Sequence, residues 1–135
     1  MKSPFASTMA LLALCILGAG TLALPQSAFA ATGDVTAVAG NGSSGLSGDT
    51  GPATAAQLSF PFGVVADAAG NVFIGDHNNS RVRRVDAATG VITSVVGTTR
   101  GFAGDGGPAT AAQIDGLVGI DLDTEGNLFI ADFNN

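Results

Sequence analysis

The 135-residue sequence predicts an all-β fold assembled from repeated antiparallel sheets, of the propeller kind. Three observations carry that expectation. A long segment recurs at a spacing of 56 residues, with Asp49 returning as Asp105 and Asp76 as Asp132. Between the recurring turns lie short runs rich in Val, Ile and Phe, the side chains that suit a pleated, half-buried surface. Glycine supplies 20 residues, and many of them fall between those runs, where a chain must reverse direction.

The first thirty residues stand apart from this pattern. Lys2 gives a positive start, residues 9–24 are almost wholly apolar, and Pro25 and Gln26 end the run. Ala28, Phe29 and Ala30 then form a small-residue cleavage pattern ahead of Ala31, which is the layout of a secretory signal peptide. The apolar run is shorter than the roughly 20 residues a membrane-spanning helix requires, so residues 1–30 are read as a cleaved signal and not an anchor. Cys15, the sole cysteine, would leave with it, and no disulfide could form in the remainder. The expected location is therefore outside the cytoplasm, secreted or in the periplasm and cell envelope. No stable membrane anchor is expected after cleavage.

Residues 31–135 form the propeller region, with repeat copies at 33–79 and 90–135. The opening stretch 34–39, Asp-Val-Thr-Ala-Val-Ala, matches the fourth strand of the later copy and predicts an outer strand. Next comes a Gly-rich connection, GLSGDTGPATAAQL over 45–58, repeated as GFAGDGGPATAAQI over 101–114. Pro52 stands at a plausible first helical position, which predicts one or two helical turns over 52–57. Val64–Ala66 and Val72–Ile74 flank the turn Asp67–Asn71 and read as a hairpin. A turn over 76–80 leads into a third strand over 81–85, and Asp86–Gly90 leads into a fourth over 91–96. That is four antiparallel strands per period, the content of one propeller blade. The second copy reaches Asn135 with two of the four, giving about two incomplete blades. A ring of 4–8 blades needs a longer chain, so the sequence reads as the N-terminal piece of a larger protein, and open sheet edges are expected.

Those residues resemble a known family. Leu58-Ser-Phe-Pro61-Phe-Gly63-Val64-Val65-Ala66-Asp67, followed by Gly70-Asn71-Val72-Phe73-Ile74 and Asp76-His-Asn78-Asn79-Ser-Arg81-Val82-Arg83, resembles the NHL repeat. The loop Gly104–Gln113 is similar to that of long-period NHL repeats in secreted bacterial proteins. The resemblance implies an NHL-type β-propeller, most members of which act as binding platforms. It also implies that Asp76 and Arg81 tie the second turn to the next strand, a structural role. The second copy departs from the family pattern at Leu117, where Pro is usual.

Charge and residue chemistry narrow the function further. Eleven acidic side chains stand against five Lys plus Arg, for a net charge of −6. Nucleic-acid binding draws on Lys and Arg, and Arg81, Arg83, Arg84 and Arg100 make no basic face, so no nucleic-acid partner is expected. Asp121, Asp123, Glu125, Gly126 and Asp132 fall at EF-hand-like spacing. Their counterparts Val65, Asp67, Ala69, Gly70 and Asp76 lack half the ligands, so calcium is not expected. Asp49 and Asp105 read as turn and cap residues in preference to a ligand loop. His77 is the sole histidine and reads as an exposed imidazole, too few for a zinc centre of three protein ligands. No catalytic residue, metal ligand or cofactor is assigned. The sequence thus predicts a secreted, non-enzymatic binding or scaffold module for protein or glycan. The alternative is the N-terminal part of a secreted propeller enzyme, lyase or lactonase-like, with its catalytic residues beyond Asn135.

Overall fold

The computed structural model describes residues 35–135. The signal-peptide reading, with Ala28, Ala30 and Ala31, lies outside the described residues. Six strands run in chain order: β1 (Pro61–Ala66), β2 (Val72–Asp76), β3 (Arg81–Val85), β4 (Ile92–Val96), β5 (Leu117–Leu122) and β6 (Leu128–Asp132). The first four form one antiparallel sheet in the order β1-β2-β3-β4, and β5 and β6 form a second antiparallel pair. Among the described residues the fold is all-β, with helix confined to three single 3-10 turns.

Local chemistry explains each connection. At the β1–β2 hairpin, the Asp67 carboxylate accepts the backbone N–H groups of Ala69 and Asn71 and the Asn71 amide. Asp123 repeats this pattern with Glu125 and Asn127 between β5 and β6. Side-chain bonds of this kind close the turn while Gly70 and Gly126 take positive φ. Between β3 and β4, Asp86 holds the N–H groups of Ala88 and Thr89 and the Thr89 hydroxyl.

The Gly-rich connections fold back over their own repeat. Gly48 and Gly104 carry φ of +85° and +101°, and a Cβ on either would lie within 3 Å of the following Ala56 or Ala112 backbone. Only glycine permits that approach. Each connection contains one 3-10 turn, Ala53–Ala55 and Ala109–Ala111, shorter than two helical turns. Pro52 sits before the turn and not inside it, with ψ of 129°. The outer strand expected over 34–39 does not form within residues 35–39. A strand needs a neighbour, and among the described residues the third strand β3 is already paired with β4.

Alternation along the strands gives the first sheet two apolar faces. On one, Ile74, Val85 and Ile92 are buried beneath Ala53 and Ala56 of the connection, with Leu58 and Val72 at the margin. On the other, Val82 packs with Ile114 and Leu117 of the second repeat, flanked by Phe73, Val95, Ile120 and Ile130. Gly75 makes the second contact possible, because a Cβ there would lie 2.4 Å from a Leu117 methyl. The second sheet therefore stacks on the first, β5 facing β1 and β2. Among the described residues, β6 has no strand on its outer edge.

Candidate functional site

The polar residues singled out by the sequence turn out to build the frame. Arg83 is fully buried and gathers four groups. Its Nε and Nη2 donate to Asp49 Oδ1 at 3.1 and 2.8 Å, and Nη1 donates to Asp76 Oδ2 at 3.4 Å. The carbonyls of Ser47 and Gln57 accept from it at 3.1 and 3.4 Å. Asp49 is further held by the Ser94 hydroxyl at 2.7 Å, so its role is to clip the Gly-rich connection onto β3 and β4. Asp76, also fully buried, accepts the Ser59 N–H at 2.7 Å and the Asn79 amide at 2.8 Å.

Arg81, expected to pair with Asp76, does not. The two residues are opposite each other in the β2–β3 ladder, but Arg81 Nη1 donates to the Gly97 carbonyl at 2.8 Å. Arg83 sits one diagonal step along the same face, and an arginine side chain spans that distance. The folded-back connection adds Asp49 and two carbonyls there, which favours Arg83 as the partner. The pair is buried and not exposed, so breaking it would leave an uncompensated charge, at a cost of about 3–5 kcal/mol.

His77 also departs from expectation. It is half-buried, and its Nδ1 is bonded to the Leu117 carbonyl of the second repeat. The Phe60 and Phe62 rings tilt against it at centroid distances of 6.0 and 6.4 Å. Thus His77 is a link between repeats. Asp121, Asp123, Glu125 and Asp132 do not converge. Asp123 closes its turn, and Asp132 accepts the Asp115 N–H at 2.9 Å. Among the described residues no cluster of three or more His, Cys, Asp or Glu is placed to hold a metal. Arg84 pairs with Asp86 at 3.1 Å and Arg100 with Asp115 at 2.6 Å, both near the surface. An opening of about 510 Å³ beside Thr36–Val38 and Asp86–Gly90 offers Asp86 as its only ionisable lining group, already held by Thr89 and Arg84.

The feature that sequence reasoning missed is an apolar end. Among the exposed large apolar side chains, Phe60, Phe62 and Val118 lie where β1 and β5 begin, Leu46 and Phe102 in the Gly-rich connections, and Phe133 just after β6. The Asn79 amide donates to the Gly45 carbonyl at 2.8 Å, and the Asn135 amide to the Gly101 carbonyl at 2.9 Å. Those bonds bring Leu46 and Phe102 beside the turns that follow β2 and β6. Phe133 is fixed there by its N–H bond to Gly116. The polar side chains of this end are engaged internally, with Asn78 on Ser59 and Asn134 on Asp115. These residues come from several separate segments, 46, 60–62, 102, 118 and 133, which is why no local motif marks this end.

The sequence matches no protein-family model. It is 30% identical over 78 residues to the Arabidopsis thaliana protein SUPPRESSOR OF QUENCHING 1, chloroplastic, a match covering 58% of this chain and 7% of that protein. Among solved structures it is similar to a structural genomics protein of unknown function from Bacteroides thetaiotaomicron VPI-5482. The TM-score is 0.52 at 24% identity, over 60% of this chain and 20% of that one. The chain thus spans a small fraction of the length of either, and the structural likeness is one of fold.

Proposed function

We propose that the chain is part of an NHL-type β-propeller that is exported and acts as a non-enzymatic binding platform for a protein partner. Support for the architecture comes from the four-stranded antiparallel meander of the first repeat and the face-to-face stacking of the second upon it. That is how neighbouring blades meet around a ring. Export rests on residues 1–30.

The observation that carries the binding role is the apolar end built from Leu46, Phe60, Phe62, Phe102, Val118 and Phe133. Contiguous exposed apolar patches on soluble proteins mark interaction sites, and aromatic side chains are enriched at interface centres. A protein partner is favoured over a glycan because sugar hydroxyls need free donors and acceptors. Here Asn78, Asn79, Asn134 and Asn135 are already bonded within the chain. Peptides selected on the protein from a random library should therefore share an apolar core. Replacing Phe60, Phe62 and Phe133 together by Ser should weaken their binding at least tenfold with an unchanged circular dichroism spectrum. Selected peptides indifferent to those substitutions, or a chelator-sensitive catalytic activity, would overturn the proposal.

A further inference from the structure

Asn41-Gly42 is the one Asn-Gly pair in the sequence, and the fold holds its flanks while leaving its centre open. Both residues are exposed, and a Cβ built on Gly42 would meet nothing within 4 Å. The Gly42 N–H makes no hydrogen bond among the described residues. On one side the Gly40 N–H donates to the Ala53 carbonyl and the Asn41 N–H to the Ala56 carbonyl, each at 2.9 Å. The Asn41 side chain is fixed as well. Its Oδ1 accepts the Ser43 N–H at 2.9 Å, and its Nδ2 donates to the Ala55 carbonyl at 3.1 Å.

The second repeat meets the same need with different chemistry. Gly97 donates to the Ala109 carbonyl as Gly40 does to Ala53, so Thr98 stands where the first repeat has Asn41. The Thr98 hydroxyl donates to the Ala112 carbonyl at 3.0 Å. Both repeats thus send a side-chain donor from this point onto the end of the 3-10 turn in the connection. Threonine does so with no amide to lose.

We propose that Asn41 is a self-modification site, at which the folded chain deamidates and so loosens the Gly-rich connection of the first repeat. The Ser43 N–H holds the side-chain carbonyl over the Gly42 peptide and sits on the oxygen where charge develops during attack. Hydroxide from solvent takes the unbonded Gly42 proton, and the Gly42 nitrogen bonds to Asn41 Cγ. The Cγ–Nδ2 bond then breaks, and the nitrogen takes a proton from water and leaves as ammonia, which returns the hydroxide. Water opens the resulting cyclic imide at either carbonyl, giving aspartate or isoaspartate. Aspartate sets a carboxylate oxygen where Nδ2 was, so acceptor faces acceptor at the Ala55 carbonyl. Isoaspartate lengthens the main chain by a methylene between the bonds that Asn41 and Gly45 make to Ala56 and Leu58. Ala53 and Ala56 are 2% and 0% exposed against Ile74, Val85 and Ile92, so loosening the connection uncovers this core.

Incubating the full chain at neutral and at mildly alkaline pH, followed by peptide mapping with mass spectrometry, tests the proposal. Asn41 should convert before Asn71, Asn78, Asn79 and Asn127, faster at the higher pH, with isoaspartate among the products. In the folded chain it should convert at least as fast as in a peptide of residues 37–47. Gly42→Ala should slow conversion about tenfold, because a Cβ crowds the attacking nitrogen. Amide exchange at Ala56, whose N–H is bonded to the Ala53 carbonyl, should quicken as the wild-type protein ages. It should stay constant in Asn41→Thr, which carries the second repeat's residue. Conversion slower than in the peptide, earlier conversion of one of the other four asparagines, or conversion that leaves Ala56 exchange unchanged would each overturn the proposal.

Discussion

Two residues of the first repeat hold backbone conformations that the second repeat assigns to glycine. Thr50 has φ of +68° where Gly106 has +75°, and Phe60 has +53° where Gly116 has +89°. A β-branched side chain in that region is strained, at about 1–2 kcal/mol for a left-handed residue. Glycine gives back part of this through its looser unfolded chain. Thr50→Gly should therefore raise stability by about 0.5–1 kcal/mol in urea unfolding, and Gly106→Thr should lower it by a similar amount. An unchanged midpoint for both would show that the loop relaxes around Thr50. Phe60 is a different case, because its ring belongs to the apolar end and its removal would trade binding surface for relief of strain.

At the level of the hairpin, three carboxylates carry the turns. The Asn71 amide holds the Asp67 carboxyl below the usual carboxylate range, as the Asn127 amide does for Asp123 and the Thr89 hydroxyl for Asp86. A group whose pKa is lower folded than unfolded stabilises the fold above its unfolded value, near 4, and loses that contribution as pH falls through the folded value. The urea midpoint should thus be level between pH 7 and pH 5 and decline below about pH 4. Replacing Asp67 and Asp123 by Asn should flatten the decline. A wild-type midpoint that holds steady down to pH 3 would mean these turns do not depend on the ionised form. Turn chemistry of this kind was plain in the sequence, because Asp-x-x-Gly-Asn writes its bonds within five residues. The partner of Asp76 was not. Alternation places Arg81 and Arg83 on one face of β3, and the choice between them is made by a connection that folds back from Ser47 and Asp49. Likewise the strand expected over 34–39 had the right residues but no neighbour to pair with.

For the molecule as a whole, the repeat spacing disclosed both sheets and their connections, while the contact between them stayed hidden. His77 read as a lone exposed imidazole because its acceptor, the Leu117 carbonyl, lies forty residues away. Leu117 stood out only as a departure from the family pattern, yet it is fully buried at the centre of the junction. Truncating it should remove the knob that fits over Gly75. Leu117→Ala is expected to cost about 2–5 kcal/mol, and hydrogen exchange should show β5 and β6 opening before β2 and β3. Loss of protection spread evenly over both sheets would instead indicate a single cooperative unit.

The tether from Arg83 to Asp49 spans 34 residues. A ribosome delivers the chain from its N-terminal end, so the connection emerges well before the strand that fastens it. Until the third strand of the first repeat emerges, its Gly-rich connection lacks the clasp that Arg83 provides. During vectorial synthesis the closure of the first repeat therefore waits on a single arginine delivered 34 residues after its partner.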